Sequence, residues 1–381
     1  MKGSLKKRSR DSWTLILDFG RDAGGRRRQK WITVRGNRRD AERELARLLN
    51  ELNSGAFVEP ARLSFRDYAE RWLAFMQTRV SPKTFERYQE IMLKHLVPAL
   101  GDTVLSKLQP LQIQACYAAA QRRDGRGSLA PRTILHHHRV LREALNQAVR
   151  WRLLSINPAN AVQPPRPPAR EIAVPSDADV TALLQAAEGT RLYLPLLAAI
   201  GTGLRRGELL ALRWSDLDLD SGQLAISQSL EETRAGLSFK TPKIAKGRRT
   251  IALPAHLITV LRRHRVDQAK ERLAAGPAYQ DHGLIFCEPD GQPTRPSTFT
   301  LRFVELAKRA RADTHLHALR HFHATSMLRL GIHPKVVSER LGHATVGITL
   351  DTYSHVIPGL QEQAAKAFDL TLERLASKTA L

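Results

Sequence analysis

The sequence predicts a multidomain α+β protein: a small three-stranded sheet plus helix at the N-terminus, an all-α domain after it, and a mixed, mainly α domain with a small β-sheet over the C-terminal half. Three observations predict it. Apolar residues change period along the chain, from the alternation of strands to the three-and-four spacing of helices. A proline run, Gln163-Pro-Pro-Arg-Pro-Pro-Ala-Arg, divides the chain with an extended connector. The length, 381 residues, suits two or three domains of roughly 100–200 residues each.

The elements follow in order. Ser12-Trp-Thr-Leu-Ile-Leu-Asp-Phe and Arg28-Gln-Lys-Trp-Ile-Thr-Val are rich in strand formers, and Asp22-Ala-Gly-Gly between them is turn chemistry. Ala41, Leu45, Leu48, Leu49 and Leu52 then repeat at helical spacing. Residues 63–162 predict helices: Phe65 to Met76, Pro82 to about Leu96 behind an N-capping Ser81, Leu111 to Gln121, and Pro131 to Arg150. The triplet His136-His-His lies on the last of these. Adjacent helical residues diverge, so three in a row cannot converge on one metal ion, and solvated or phosphate-facing rings are expected instead. Past the connector, Ser176 caps a helix, Leu192 to Leu212 is helical around a Gly-rich turn, Gln223 to Ser227 reads as a strand, Leu237 to Leu253 as a hairpin, and helices fill the rest. The resulting domains are 1–57, 63–162 and 172–381, with 163–171 as linker.

Charge narrows the function. Sixty Lys and Arg against 37 Asp and Glu leave +23. Such a surface repels itself unless an anionic partner is present, and nucleic acid is the commonest such partner. Residues 1–50 alone carry 15 basic and 6 acidic side chains. Arg26, Arg27 and Arg28 lead into a strand there and are candidate DNA contacts. Cys116 and Cys287 are too few for a disulfide framework or a Cys-rich zinc site. The opening Met1-Lys-Gly-Ser-Leu-Lys-Lys-Arg predicts no signal peptide, and the longest apolar run, Leu192 to Leu204, is shorter than the ~20 residues of a membrane span. A cytoplasmic protein at the nucleoid of a prokaryote, without membrane contact, is the expectation.

No GxxxxGK[ST], GxSxG or HExxH pattern occurs, and Gly201-Thr-Gly-Leu-Arg-Arg-Gly has the wrong spacing for a dinucleotide loop. Neither a cofactor nor a metal is expected. The specific stretches are Thr202-Gly-Leu-Arg-Arg-Gly-Glu-Leu-Leu-Ala-Leu-Arg-Trp, His317-Ala-Leu-Arg-His, Leu341-Gly-His-Ala and Thr349-Leu-Asp-Thr-Tyr-Ser-His. On a helix, His317 and Arg320 share a face that His321 joins, while Leu319, Phe322 and Met327 turn to a core. Alone, that face could equally be capping or solvation. Phosphoryl transfer gives the joint pattern a use. Guanidinium forks suit the charge that grows on non-bridging oxygens, and a tyrosine hydroxyl with pKa near ~10 needs help as a nucleophile. Histidine moves protons near neutrality, and lysine can protonate a departing oxygen.

Together these stretches resemble the two boxes of the tyrosine recombinase (phage integrase) family. The resemblance is close over Ile172 to Pro358; more loosely, the N-terminal strands resemble an arm-binding domain and the helical segment a core-binding domain. It implies that Arg205 and Arg320 clamp the phosphate, that Glu208 supports Arg205, that His317 and His343 complete the site, and that Tyr353 is the nucleophile. The family's hairpin lysine falls on Lys243 in Pro242-Lys-Ile-Ala-Lys-Gly-Arg-Arg. Ile244 departs from the threonine expected next, so Lys240 and Lys246 stay open.

The function so implied is a site-specific recombinase, an integrase that cuts and rejoins DNA through a 3′-phosphotyrosine, integrating or excising a phage or mobile element. Its expected partners are double-stranded DNA attachment sites, a homotetramer assembled on them, and an excisionase or DNA-bending helper. The alternatives are a DNA-binding architectural protein without catalysis and a type IB topoisomerase-like enzyme.

Overall fold

The computed structural model describes residues 2–21, 25–53, 63–121, 128–168, 173–241 and 247–353, with short helical pieces between 365 and 375. Contacts divide the chain into two compact units, Met1–Ala169 and Arg170–Leu381.

The first unit opens with an antiparallel sheet of β1 (Lys2–Ser9), β2 (Ser12–Arg21) and β3 (Arg27–Arg35), followed by helix α1 (Arg38–Asn53). Strand period sorts its side chains. Leu15 and Leu17 of β2 face Ala41 and Leu48 of α1, with Leu5, Ile32 and Val34 packed around them. On the other face, the register pairs Lys6 with Thr14, Thr14 with Thr33, Ile16 with Trp31 and Ser12 with Arg35. Trp31 is 60% exposed there.

The helical part comprises α2 (Phe65–Gln77), α3 (Pro82–Ile91), a π turn over Met92–Leu96, α4 (Val97–Leu100), α5 (Pro110–Gln121) and α6 (Pro131–Arg150). Ser64 caps α2 by accepting from Asp67 N. Ser81 makes no such bond at α3, and its hydroxyl lies 2.9 Å from Thr84 Oγ1 instead. The His136-His-His expectation needs correction. His137 is 3% and His138 8% exposed, because with Ile134, Leu141 and Leu145 they fall on the apolar stripe of α6. The His137 ring packs tilted against His95 with centroids 4.6 Å apart, and His138 Nδ1 lies 3.3 Å from Tyr117 Oη. Helical period, not polarity, placed these rings.

The second unit contains α7 (Asp177–Ala187), α8 (Tyr193–Thr202), the one-turn α9 (Arg206–Leu209), α10 (Ala255–Ala275), α11 (Pro296–Arg309), α12 (Ala318–Arg329), α13 (Pro334–Leu341) and α14 (Val346–Tyr353). Ser176 and Asp179 form a reciprocal capping box on α7. A small sheet pairs β4 (Leu217–Asp218), β5 (Gln223–Ile226) and β8 (Arg249–Ala252), whose Leu224, Ile226 and Ile251 enter the core. The expected hairpin over Leu237–Leu253 is not formed. Strand β7 (Gly236–Lys240) pairs with β6 (Ser229–Thr233) across a two-residue turn, whereas β8 pairs with β5. Two adjacent glutamates, Glu231 and Glu232, hide β6 from a propensity reading.

Candidate active site

Two helix ends build the site. Helix α8 stops at Gly203 (φ +67°) and α13 at Gly342 (φ +68°), both in the left-handed region that glycine adopts without penalty. The last carbonyls of a helix lack partners within it and carry the negative end of its dipole. Here arginines satisfy them. Arg320 of α12 forks across both ends, donating from Nη1 to Gly203 O and from Nη2 to Leu341 O, each at 2.7 Å. Arg340 donates to Gly201 O at 3.0 Å and Ala252 O at 2.8 Å. Arg249 of β8 reaches Arg340 O at 2.7 Å. A Cβ on Gly203 would lie 2.6 Å from His323 Cδ2, so only glycine fits this turn.

Glu208 supplies the opposing charge. Its side chain is 5% exposed and accepts from Arg205 Nη1 at 2.8 Å and Arg249 Nη2 at 2.9 Å. Burial pushes its carboxyl up, but the hydrogen bond and charge of Arg249, with the charge of Arg205, outweigh that and hold it below its usual value. Arg205 itself, half exposed, caps α9 and also donates to Gly342 O at 3.3 Å. The next residue faces elsewhere: Arg206 donates to Thr300 Oγ1 of α11 at 2.5 Å. Burial, then the charge of Arg205, pull Arg320 down to about 10, so it stays protonated at neutral pH. Arg205 and Arg249 thus meet one carboxylate, Glu208, while the guanidiniums of Arg320 and Arg340 donate to main-chain oxygens. Among the described residues, three N–H groups of Arg320, itself 3% exposed, have no bonded partner.

The histidines differ in what they touch. His317 precedes α12, is exposed, and meets the His321 ring edge-on, with centroids 4.9 Å apart. Desolvation and the charge of Arg320 lower its pKa. His321 Nδ1 lies 2.8 Å from Tyr353 Oη, and burial first, then His317, hold that ring down to about 4. His343 Nδ1 lies 2.8 Å from the buried Thr349 Oγ1; burial and then Arg320 bring it to about 4 as well. His323 bonds Ile200 O at 2.8 Å through Nδ1 and accepts from Arg340 Nε at 3.1 Å, the pattern of a neutral ring, and burial lowers it to about 4. Tyr353, 1% exposed, packs with Ala324, Leu328, Val337 and Leu341, and burial raises its hydroxyl pKa against the pull of Arg320.

Of the residues singled out from sequence, Arg205 pairs with Glu208, Arg320 spans the two helix ends, and Tyr353 bonds His321, whose ring His317 meets; His343 follows Gly342 and bonds Thr349. Lys243 and Lys246 lie outside the described residues. Lys240 ends β7 in an ion pair with Glu231. Arg26 and Arg27 are exposed at the start of β3, where Arg27 pairs with Asp18 at 2.8 Å, and the Arg28 side chain lies outside the described residues. Arg249, Arg340 and His323 escaped the sequence reading. Arg340 had one cue, its place two residues before the helix-ending Gly342. Among the described residues no cluster of His, Cys, Asp and Glu could hold a metal ion, and no helix is long and apolar enough to cross a membrane.

Residues 176–358 match the model of the phage integrase family, and residues 64–119 that of the phage integrase N-terminal SAM-like domain. The chain is 29% identical to a tyrosine recombinase XerC-like protein of Caldanaerobacter subterraneus subsp. tengcongensis, covering 97% of this chain and 98% of that one. It is 28% identical to an integrase of Streptomyces ambofaciens over 96% of this chain and 95% of the relative. In fold it resembles the Tn1549 transposon integrase solved with circular intermediate DNA (TM-score 0.64, 20% identity, 80% of this chain and 99% of that one). It also resembles lambda integrase, solved as a tetramer bound to a Holliday junction (TM-score 0.56, 19% identity, 92% and 94%).

Proposed function

This chain belongs to the phage integrase family of tyrosine recombinases, and from that premise we propose that Tyr353 cuts DNA at specific attachment sites through a 3′-phosphotyrosine. The observation that carries the proposal is the hydrogen bond of the Tyr353 hydroxyl to His321, one residue past Arg320, whose side chain is clamped across two helix ends. The phosphodiester would sit against Arg205 and Arg320. Their guanidiniums would take the charge that grows on its non-bridging oxygens, a task for which fixed, always-protonated forks are suited. Tyr353 Oη bonds to phosphorus as the P–O5′ bond breaks, and one of Lys240, Lys243 and Lys246 protonates the departing oxygen. The ion pair of Lys240 with Glu231 speaks against Lys240 for that step and leaves Lys243 and Lys246 as the candidates. The phosphotyrosine conserves the bond, so a 5′-hydroxyl from a second strand can reverse the sequence without nucleotide fuel.

DNA as partner follows from the +23 charge and from the DNA-bound Tn1549 and lambda integrases, and the latter supports a tetramer as the working assembly. The N-terminal sheet would form an arm-binding domain, integrating or excising a mobile element with separate DNA sites. Its open face, with Lys6, Arg8 and Arg35 around the exposed Trp31, is the surface suited to lie in a groove.

The test uses nicked duplexes of random sequence, from which wild-type protein should retain a subset through SDS; sequencing that subset reads out the site. Tyr353→Phe should retain none while binding the recovered duplex with unchanged affinity. Retention by the Phe variant at the wild-type level refutes the assignment.

A further inference from the structure

Three histidines approach the nucleophile's end of the site, and the geometry separates them. Among the described histidines only His321 touches the hydroxyl, with Nδ1 2.8 Å from Tyr353 Oη. His317 meets no more than the His321 ring, 4.9 Å away between centroids, and His343 commits its Nδ1 to Thr349. The fourth, His323, has both nitrogens engaged with Ile200 O and Arg340. We propose that His321 is a catalytic residue that holds the Tyr353 hydroxyl and takes its proton as the oxygen attacks phosphorus.

The proposal rests on Tyr353 being the nucleophile. In this role Tyr353 donates to Nδ1, which requires the tautomer with the ring hydrogen on Nε2. During cleavage the Oη–H bond breaks, its proton moves to Nδ1, and the Oη–P bond forms while P–O5′ breaks. The leaving oxygen takes a proton from Lys243 or Lys246, the candidate donors for that step. Rejoining runs both transfers backwards, so His321 returns its proton to Tyr353 and the cycle balances. Burial gives this pair a purpose. Tyr353 is 1% exposed, so water cannot serve as its base, and a phenol there must hand its proton to a protein group. His317 edge-on against His321 fixes the plane of the accepting ring.

The experiment measures covalent attachment to the duplex recovered with wild-type protein. His321→Gln keeps an oxygen that accepts the hydroxyl but cannot take a proton, so attachment should slow ~10²–10⁴-fold with DNA affinity unchanged. His321→Ala should be as slow, and free imidazole should restore part of its rate. Imidazole should not restore Tyr353→Phe. A Gln variant as fast as wild type, or faster, overturns the proposal; the faster case would make His321 a restraint on a stored nucleophile. Loss of rate in His317→Gln alone overturns it in favour of His317. If the Gln variant fails to fold, imidazole rescue of the Ala variant decides. Attachment by Tyr353→Phe would instead overturn the nucleophile itself, whatever His321 does.

Discussion

Glu208 and Arg249 form a buried ion pair at 2.9 Å, with side chains 5% and 7% exposed, and Arg205 occupies the carboxylate's other oxygen. The pair ties β8 to the turn that carries Arg205. Removing one partner of such a pair strands the other charge away from water. Glu208→Ala should therefore lower the unfolding free energy by about 3–5 kcal/mol in urea titration. Replacing Glu208 and Arg249 together by Met should cost less than Glu208→Ala alone. Equal losses in the two variants would show that the pair is not coupled as the geometry indicates.

Stability should also depend on pH through the histidines. Burial, then Arg340, hold His323 at about 4 against an ordinary 6.5. Between those values the unfolded chain binds a proton that the folded chain refuses. The stabilisation is complete above about 6.5 and is lost as pH falls toward about 4, at up to ~1.4 kcal/mol per pH unit for each such ring. Urea midpoints followed across that window should fall with acid, and His323→Gln, whose amide can meet both Ile200 O and Arg340, should flatten the slope by one ring's share. An unchanged slope would mean that His323 titrates normally.

The N-terminal sheet offers a salt-dependence test. If Lys6, Arg8 and Arg35 contact phosphates, each change to Ala should reduce the slope of log affinity against log salt by ~1. Trp31→Ala should weaken binding without changing that slope. Deleting residues 1–57 should abolish footprints at separate flanking sites and leave Tyr353 attachment to the core duplex intact. Uniformly weaker binding to every sequence would mark the segment as a nonspecific basic tail.

How much of this was legible in the sequence depends on how local the cause is. The capping box at Ser176 and Asp179, the helix periods and the glycine beside Arg205 are written within a few residues, and they could be read. The bond between His321 and Tyr353 joins residues 32 apart and exists only because α14 folds back on α12. No spacing rule announces it. His137 and His138 were misjudged because residue type was weighed above position on the α6 stripe. Strand β6 was missed because its glutamates are poor strand formers, and its pairing with β7 removed β7 from the hairpin expected with β8.

That Arg320 is held by main-chain oxygens has a bearing on how the site tolerates change. An anchor made of side chains can be lost by one substitution at each partner. Gly203 O and Leu341 O persist whatever side chain stands at position 341, provided that the chain still turns there. Randomising the solvent-facing positions of α8 and α13 would leave the guanidinium where it is, whereas the turns at Gly203 and Gly342 admit almost no alternative residue. The site is thus robust to drift in composition and brittle at two points of the backbone trace, so a redesigned specificity can be sought in the surrounding side chains without loosening the arginine at its centre.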